Sequence, residues 1–415
     1  MRCSYFDAAE CRSCTWMGQK YGHQLSAKLQ RARVALGQRG QIAWSAPATS
    51  APEGYRNKAK LVVGGSATEP TLGILDREGQ GIDLRHCGIH EAALHDAIPV
   101  LAEHIKRARL EPYDVPSRAG ELKHVLVTVS PDGELMVRWV LRSQEAVSRL
   151  RKNLRWLRDR LPIAVASINL QPEHKAVLEG PEEIVLTSRR TLPMRVGEGD
   201  DALVLQLRPQ SFFQTNSGVA AELYTQAATW VDELAPARVW DLYSGAGGFA
   251  LHLAEFADPD DPEELDEPDE PDEPDEPDED GFEPRQIVGV EVSEEAVRGA
   301  REAAESQHLV GVRFEAADAT TWAAAAGSAG EPLPDLVVVN PPRRGIGPDL
   351  AEWLERSSVP AVLYSSCDIE SLARDVAAMP SLVPRRARVL DMFPQTEHFE
   401  TLVLLERATG VRSRV

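Results

Sequence analysis

The spacing of apolar and polar positions changes its period near residue 216 of this 415-residue chain. Beyond that point, short apolar runs alternate with longer amphipathic stretches, which predicts strands alternating with helices. Strand–helix alternation is typical of a parallel, doubly wound sheet that binds its ligands at the carboxyl ends of the strands. The predicted helix is 217–233, and the predicted strands are 239–242, 286–292, 312–315, 336–340, 361–365 and 402–406.

The first half of the chain has a different pattern, which indicates an α+β domain. Apolar runs at 125–129 and 135–140 flank Pro131-Asp132-Gly133, and this arrangement predicts a hairpin. Helices are predicted at 23–36 and 144–161, the second of them basic and amphipathic, and a strand is predicted at 163–169. Because the chain is too long for one ordinary core, we predict two domains, 1–205 and 206–415.

The net charge of −20 comes mostly from one segment. Residues 258–283 contain 17 Asp and Glu and no Lys or Arg, with Asp-Glu-Pro repeated over 266–277. Such a segment cannot bury a core, so we predict a disordered acidic insert within the second domain. Without it the net charge is −3, and residues 1–200 alone carry +6. That excess gives weak support to a nucleic-acid partner.

The chain has neither an apolar run long enough to span a membrane nor a secretory signal at its start. We therefore expect a cytoplasmic protein, in which five cysteines suit metal ligands or catalytic thiols better than disulfides.

A glycine-rich loop follows the strand 239–242 and predicts a cofactor site. Gly245, Gly247 and Gly248 allow a sharp turn and close approach of a ligand. Glu291, which ends the next strand, suits hydrogen bonds to ribose hydroxyls. The loop alone also fits NAD or FAD, whereas Asp241 before the glycines is more typical of methyltransferases.

Cys367 follows the strand 361–365 at the edge where ligands are expected, so it is a candidate nucleophile. A single cysteine is more often a small buried apolar side chain, but the turn at Asn340-Pro341-Pro342 follows the neighbouring strand at the same edge. Glu400 is a candidate general base, or alternatively a solvated acid beside the last strand.

The other four cysteines form the pattern C-x7-C-x2-C, with Cys87 far downstream of Cys3, Cys11 and Cys14. Four thiolates fit a structural zinc or a [4Fe–4S] cluster, and the spacing leaves both open, as it does four unrelated buried cysteines.

Several motifs together resemble the RNA uracil-5-methyltransferase family along nearly the whole chain except 258–283. They are Met1-Arg-Cys-Ser-Tyr-Phe-Asp7, Tyr55-Arg-Asn-Lys-Ala-Lys60, Arg208-Pro-Gln-Ser-Phe-Phe-Gln-Thr-Asn216, Asp241-Leu-Tyr-Ser-Gly245, Asn340-Pro-Pro-Arg-Arg-Gly345, Tyr364-Ser-Ser-Cys367 and Asp391-Met-Phe-Pro-Gln-Thr-Glu-His-Phe-Glu400.

The resemblance implies a Rossmann-like S-adenosylmethionine-dependent methyltransferase domain, preceded by an α+β iron–sulfur and RNA-binding domain. It implies methylation of carbon 5 of a uracil in 23S ribosomal RNA, at RNA position 747. Cys367 would be the nucleophile, Glu400 the base that removes the carbon-5 proton, and Cys3, Cys11, Cys14 and Cys87 the [4Fe–4S] ligands. The residues expected to bind S-adenosylmethionine are Gln214, Tyr243, Glu291 and Asn340, with Gly245 in the loop and Asp318 near the adenine. Many relatives have Asp where this chain has Asn340.

RNA binding is also expected from basic clusters near aromatic residues. The clusters are Lys28, Arg31 and Arg33; Arg56, Lys58 and Lys60; and Arg149, Arg151, Lys152, Arg155, Arg158 and Arg160 around Trp156. Each could equally be a solvated face, and Phe212 and Phe213 could line the core or border a flipped base. We expect a monomer with no membrane or protein partner.

The same sequence features also fit three alternatives. Transfer RNA could be the substrate of the same reaction. The chain could be a non-catalytic RNA-binding assembly factor, or an NAD-dependent redox enzyme that uses the same glycine-rich loop.

Overall fold

Two sheets organise the protein in the computed structural model, which describes residues 1–37, 41–175, 177–199, 202–257, 284–326 and 330–408. The acidic insert predicted at 258–283 lies outside the described residues. No helix of the described ranges is long and apolar enough to cross a membrane.

The first sheet has seven strands in the order β4-β3-β2-β5-β6-β7-β8. Its central strands are almost continuously apolar and buried, and Trp139 in β6 is fully buried. Helices α3 and α4 contribute their apolar side chains to the same core. The strands are β2 Lys58–Gly65, β3 Pro70–Leu75, β4 Gly81–Asp83, β5 Leu122–Val129, β6 Leu135–Leu141, β7 Ile163–Leu170 and β8 Glu182–Val185, and the helices are α3 Ala92–Ala108 and α4 Val147–Arg158.

The second sheet has eight strands in the order β1-β18-β19-β17-β16-β11-β13-β15. The five strands β17, β16, β11, β13 and β15 are parallel to their neighbours in this series. Strand β19 runs antiparallel to both β17 and β18. The strands are β1 Ala43–Trp44, β11 Arg238–Leu242, β13 Gln286–Glu291, β15 Val312–Ala316, β16 Leu336–Val339, β17 Ala361–Ser366, β18 Leu382–Leu390 and β19 Glu400–Arg407. This confirms the predicted Rossmann-like fold.

Helices cover both faces of the second sheet and bury one apolar cluster on each. Polar side chains fix where three of these helices begin, since Asn216, Ser293 and Asp368 each accept a hydrogen bond from a backbone N–H of the first turn. The helices are α5 Ser217–Leu234, α6 Gly248–Leu253, α7 Glu294–Ser306, α8 Ala319–Ala326, α9 Gly347–Arg356 and α10 Ile369–Ala378. Among the described residues, two short antiparallel pairs of strands lie outside these sheets: β9 Leu192–Val196 with β10 Leu203–Leu207, and β12 Glu255–Phe256 with β14 Leu309–Val310.

The N-terminal residues cross from the first sheet to the second. After the short helix α1 Ser4–Asp7, helix α2 Tyr21–Leu36 packs its buried Ala32 and Leu36 on the second sheet, and β1 pairs with β18. Elements from both sides of the predicted boundary at residue 205 therefore share one sheet, and the division into 1–205 and 206–415 stays a prediction.

Candidate active site

The glycine-rich loop connects β11 to α6 through a run of left-handed backbone conformations. Tyr243, Gly245 and Gly247 have φ of 69°, 57° and 85°. Only glycine adopts such angles without strain, so the two glycines fit the turn and Tyr243 is the strained member. The backbone N–H groups of Tyr243 and Ser244 both donate to the carbonyl of Val290, which ties the loop to the end of β13.

Glu291 at that strand end is held by two backbone donors. The N–H of Gly245 donates to one carboxylate oxygen at 3.1 Å, and the N–H of Ser293 donates to the other at 2.9 Å. Each carboxylate oxygen keeps a second acceptor site. A pair of vicinal hydroxyls, as on a ribose, fits this arrangement.

Asp241, in the strand that leads into the loop, is completely buried. One carboxylate oxygen accepts from the N–H of Ala250 at 3.0 Å, and the other has no partner among the described residues. Burial raises the pKa of this carboxyl to about 7. Asp241 therefore joins the strand end to the first turn of α6.

Tyr243 and Asp318 lie on one side of the loop. Burial raises the pKa of Tyr243, a hydrogen bond from Thr320 opposes this effect, and the charge of Asp318 adds to it. Asp318 is exposed and accepts from the N–H and the hydroxyl of Thr321, and these bonds hold its pKa below the usual value. This part of the site can contact a planar, polar group such as a nucleobase.

The remaining predicted cofactor ligands lie at two other positions. Asn340 follows β16 directly, at the same sheet edge as Glu291. Gln214 is 4% exposed, and its carbonyl accepts from the side-chain amide of Asn57 at 3.0 Å. Through that bond the segment ahead of α5 is tied to the start of the first sheet.

The candidate nucleophile and base lie close together, because β17 and β19 are neighbours. Cys367 follows β17 and is partly buried, and Glu400 is the first residue of β19 and is 1% exposed. Burial raises the pKa of the Cys367 thiol to about 11, with a contribution from the charge of Glu400. Burial also raises the pKa of Glu400 to about 7. A carboxyl that titrates near neutral pH suits general base catalysis.

Three further side chains in this site have no role assigned from the sequence. Arg343 hydrogen-bonds to the Cys367 thiol and lowers its pKa. Ser365 donates to the Glu400 carboxylate at 2.6 Å and lowers its pKa. Asp375 in α10 accepts from the Tyr364 hydroxyl at 2.8 Å and from the N–H of Ile346 at 2.9 Å. Arg343 and Ser365 belong to motifs identified in the sequence, but the sequence does not show that their side chains point toward Cys367 and Glu400.

The four remaining cysteines line one cavity of about 180 Å³. Burial raises the pKa of Cys14 to about 11, and the charges of Cys87, Cys11 and Cys3 raise it further. In the observed side-chain conformations, the described ranges contain no group of three His, Cys, Asp or Glu residues arranged to hold a metal ion. The fold thus brings four distant thiols to one place without arranging them as a ligand set.

The predicted basic surfaces differ in their surroundings. Lys28 was predicted to face RNA, and this is wrong, because it is fully buried and forms an ion pair with Asp391 at 2.6 Å. Its neighbour Arg31 pairs with Glu370 on the surface. On α4, Arg149 pairs with Glu145, and the guanidinium groups of Arg107 and Arg160 lie 5.5 and 4.1 Å from the centre of the Trp156 ring.

Five cations on or just after α4 are exposed and have no carboxylate partner within the described part of the chain: Arg151, Lys152, Arg155, Arg158 and Arg160. The two adjacent phenylalanines also separate, since Phe213 is in the core and Phe212 is 63% exposed. Both features leave surface available for an RNA strand.

The chain is similar in sequence to known methyltransferases. The family model described as tRNA (uracil-5-)-methyltransferase matches residues 333–408, which include Asn340, Cys367 and Glu400. The chain is 44% identical over 409 residues to the 23S rRNA (uracil(747)-C(5))-methyltransferase RlmC of Halothiobacillus neapolitanus, covering 98% of this chain and 100% of that protein. It is 40% identical over 407 residues to the protein of the same name from Escherichia coli strain SE11, covering 98% and 99%.

Among solved structures, the chain is similar to the Pyrococcus abyssi tRNA (uracil-54, C5)-methyltransferase in complex with S-adenosyl-L-homocysteine. The TM-score is 0.70 at 22% identity, and the match covers 94% of this chain and 85% of that one. At this identity the likeness supports the fold.

Proposed function

Since this chain belongs to the family of 23S rRNA (uracil-C5)-methyltransferases, we propose that it transfers a methyl group from S-adenosylmethionine to carbon 5 of a 23S rRNA uracil, at position 747. The main support for the proposal is that Cys367 and Glu400 lie close together at the same sheet edge as the glycine-rich loop. A cofactor loop alone fits several enzyme classes, whereas a thiol beside a base of pKa about 7 fits addition to a uracil ring and later elimination.

The cofactor would lie along the carboxyl ends of β11, β13 and β16. Glu291 would accept from the ribose hydroxyls, Tyr243 and Asp318 would face the adenine, and Gln214 and Asn340 would border the reacting end. When bound, S-adenosylmethionine supplies a methyl group made electrophilic by its sulfonium. The two backbone bonds to Glu291 keep the carboxylate in place for this task.

The reaction would begin with Cys367. Its thiol releases its proton to water, and the Arg343 guanidinium stabilises the resulting thiolate against the effect of burial. The thiolate sulfur bonds to carbon 6 of the uracil, and the electrons of the carbon 5–carbon 6 double bond move to the carbonyl oxygen at carbon 4. The resulting enolate is nucleophilic at carbon 5, which the neutral ring is not. Carbon 5 then takes the methyl group, and S-adenosylhomocysteine is left.

Glu400 would complete the reaction. Its carboxylate takes the proton from carbon 5, the electron pair of that bond restores the ring double bond, and the sulfur–carbon 6 bond breaks. The product is 5-methyluridine, and Cys367 is regenerated. Glu400 must be ionised for this step, so its activity as a base falls as the pH drops through its pKa of about 7.

Ser365→Ala is expected to shift the midpoint of the pH dependence of proton abstraction to higher pH. The Ser365 hydroxyl lowers the pKa of Glu400, so its removal raises that pKa and the base then requires a higher pH to be ionised. The measurement is the rate at which the protein–RNA adduct decays, as a function of pH. Ser365→Thr keeps a hydroxyl and is expected to retain the wild-type profile. An unshifted profile in Ser365→Ala would show that this hydrogen bond does not tune the base.

RNA would meet the protein along α4 and at Phe212. Exposed guanidinium and ammonium groups bind phosphates, and the guanidinium groups of Arg107 and Arg160 beside Trp156 offer planar groups that suit single-stranded bases. Phe212 lies two residues before Gln214, so it is placed to stack on a uracil that has left its helix.

We propose further that Cys3, Cys11, Cys14 and Cys87 hold a [4Fe–4S] cluster. Four thiols and no carboxylate around one cavity form a donor set that suits iron–sulfur or zinc. The cluster would hold the N-terminal segment against the start of the first sheet.

Metal analysis of anaerobically purified protein distinguishes these two metals. We expect about four irons per chain in the wild type, the content of one [4Fe–4S] cluster. Cys87→Ser should lose the iron together with its visible absorbance, whereas Cys367→Ala should retain both. Stoichiometric zinc without iron, or iron loss in Cys367→Ala, would contradict the assignment.

The choice of RNA substrate is tested by incubating the protein with labelled S-adenosylmethionine and equal amounts of unmodified 23S rRNA and unmodified transfer RNA. We expect label on 23S rRNA. Label on transfer RNA alone would keep the chemistry and make the chain a tRNA enzyme, as the description of the matching family model names.

A further inference from the structure

Helix α2, outside the catalytic residues, lies along the segment that leads to Glu400. This segment, residues 391–399, contains neither helix nor strand, and Glu400 begins β19 immediately after it. Within the segment the backbone N–H of Asp391 bonds to Ala48 and that of Met392 bonds to Leu390. Its conformation therefore depends on contacts with other parts of the chain.

Lys28 makes two of these contacts near the start of the segment. Its ammonium group donates to the Asp391 carboxylate at 2.6 Å and to the carbonyl of Phe393 at 3.0 Å. The ion pair is fully buried, and an isolated charge there would be strongly unfavourable. Lys28 thus holds the side chain of Asp391 and the backbone carbonyl of Phe393, two residues apart along the path to Glu400.

Gln24 fixes the middle of the segment through a reciprocal pair of hydrogen bonds. Its amide nitrogen donates to the side-chain oxygen of Gln395 at 3.0 Å, and its amide oxygen accepts from the backbone N–H of Gln395 at 3.0 Å. Both side chains are buried. The N–H of Trp16 also donates to the carbonyl of Gln395 at 2.9 Å.

Gln395 has a φ of 65°, in the left-handed region that a residue with a side chain rarely adopts. Such a conformation persists where the surroundings hold it, and Gln24 and Trp16 provide three hydrogen bonds to this residue. Without them, the backbone would be free to relax toward an ordinary conformation and shift the residues that follow.

Arg31 contacts the end of the segment, donating to the carbonyl of Glu397 at 3.3 Å, with its guanidinium 5.9 Å from the ring of Phe399. Gln24, Lys28 and Arg31 follow the spacing i, i+4, i+7, so they lie on one face of α2. A single helix face therefore contacts the segment from Asp391 to Phe399.

We propose that Gln24 and Lys28 are positioning residues for the proton-abstraction step: through Asp391, Phe393 and Gln395 they set where the Glu400 carboxylate meets the carbon-5 proton. The inference rests on the proposed function, because it requires Glu400 to be the base. Both side chains are fully buried, so neither is accessible to RNA. Small displacements of a base reduce its rate strongly, even when they originate far from the chemistry.

Gln24→Met tests this with little change in side-chain volume. The matched control is Gln30→Met, on the same helix at an exposed position with no side-chain hydrogen bond among the described residues. We expect adduct formation and KM for RNA to stay near wild type, while adduct decay slows by about tenfold or more, so that the covalent protein–RNA species accumulates on denaturing gels. Gln30→Met should match wild type in every rate.

A merely structural role for Gln24 gives a different result. Formation and decay would then fall together with the fraction of folded protein, or the melting temperature alone would drop, and either outcome overturns the inference. If Gln24→Met does not fold, Gln395→Gly removes the same side-chain bond at a position where glycine suits the backbone, and it should slow decay in the same direction. If wild-type protein forms no adduct at all, the proposed function fails, and that result is distinct from failure of this inference.

Discussion

Replacing Cys367 with alanine is expected to abolish methylation, with a loss of at least about 10⁴-fold, because the nucleophile of a covalent mechanism has no substitute. Without addition at carbon 6 the uracil ring is never activated at carbon 5. S-adenosylmethionine should still bind, since the glycine-rich loop and Glu291 belong to other strands. The assay is transfer of label from S-adenosylmethionine to 23S rRNA, together with a binding titration of the cofactor.

Cys367→Ser provides the matched control for the size of the side chain. Its hydroxyl fits the same space but ionises far less readily than a thiol, so this variant should be as inactive as the alanine variant. Substantial methylation by Cys367→Ala, with a normal product, would mean that the thiol is not the nucleophile.

Replacing Glu400 with glutamine is expected to trap the reaction after methyl transfer. Glutamine keeps an acceptor for the Ser365 hydroxyl, so the local structure should be retained, but it cannot take the carbon-5 proton. Turnover should fall by about 10²–10⁴-fold, and the protein should carry a covalently bound, methylated RNA. Denaturing gel electrophoresis with labelled S-adenosylmethionine detects this species directly.

Glu406→Gln makes the same chemical change near the other end of β19, where the carboxylate is partly exposed and pairs with Arg385. It should turn over normally and accumulate no adduct. If Glu400→Gln releases methylated RNA at the wild-type rate, another group removes the proton.

Much of the second sheet could be predicted from the sequence, because its parallel strands are buried on both faces and appear as short apolar runs. The predicted strands at 239–242 and 336–340 are confirmed within one residue at each end. Strand β18 was missed, since Leu382–Leu390 includes a proline and three arginines that hide its apolar positions. Strand β1 is only two residues long and owes its existence to pairing with β18.

The chemistry of the site was predictable by residue type, and its arrangement was not. Motifs mark Cys367 and Glu400, yet the proximity of the two residues follows from β17 and β19 being neighbours. The Ser365–Glu400 bond depends on the same pairing. For Lys28 the residue type itself was misleading. A basic residue in a basic cluster predicts an exposed side chain, but Lys28 is buried in an ion pair with Asp391, which lies far away in the sequence.

The position of the methyl group on the RNA decides whether the chain methylates carbon 5 of a uracil in 23S rRNA. Unmodified 23S rRNA is incubated with the wild-type protein and labelled S-adenosylmethionine, and the modified nucleotide is identified and mapped by mass spectrometry. We expect a single 5-methyluridine at position 747. A methyl group on another atom or another base, or no modification of 23S rRNA by protein that binds S-adenosylmethionine normally, would contradict it.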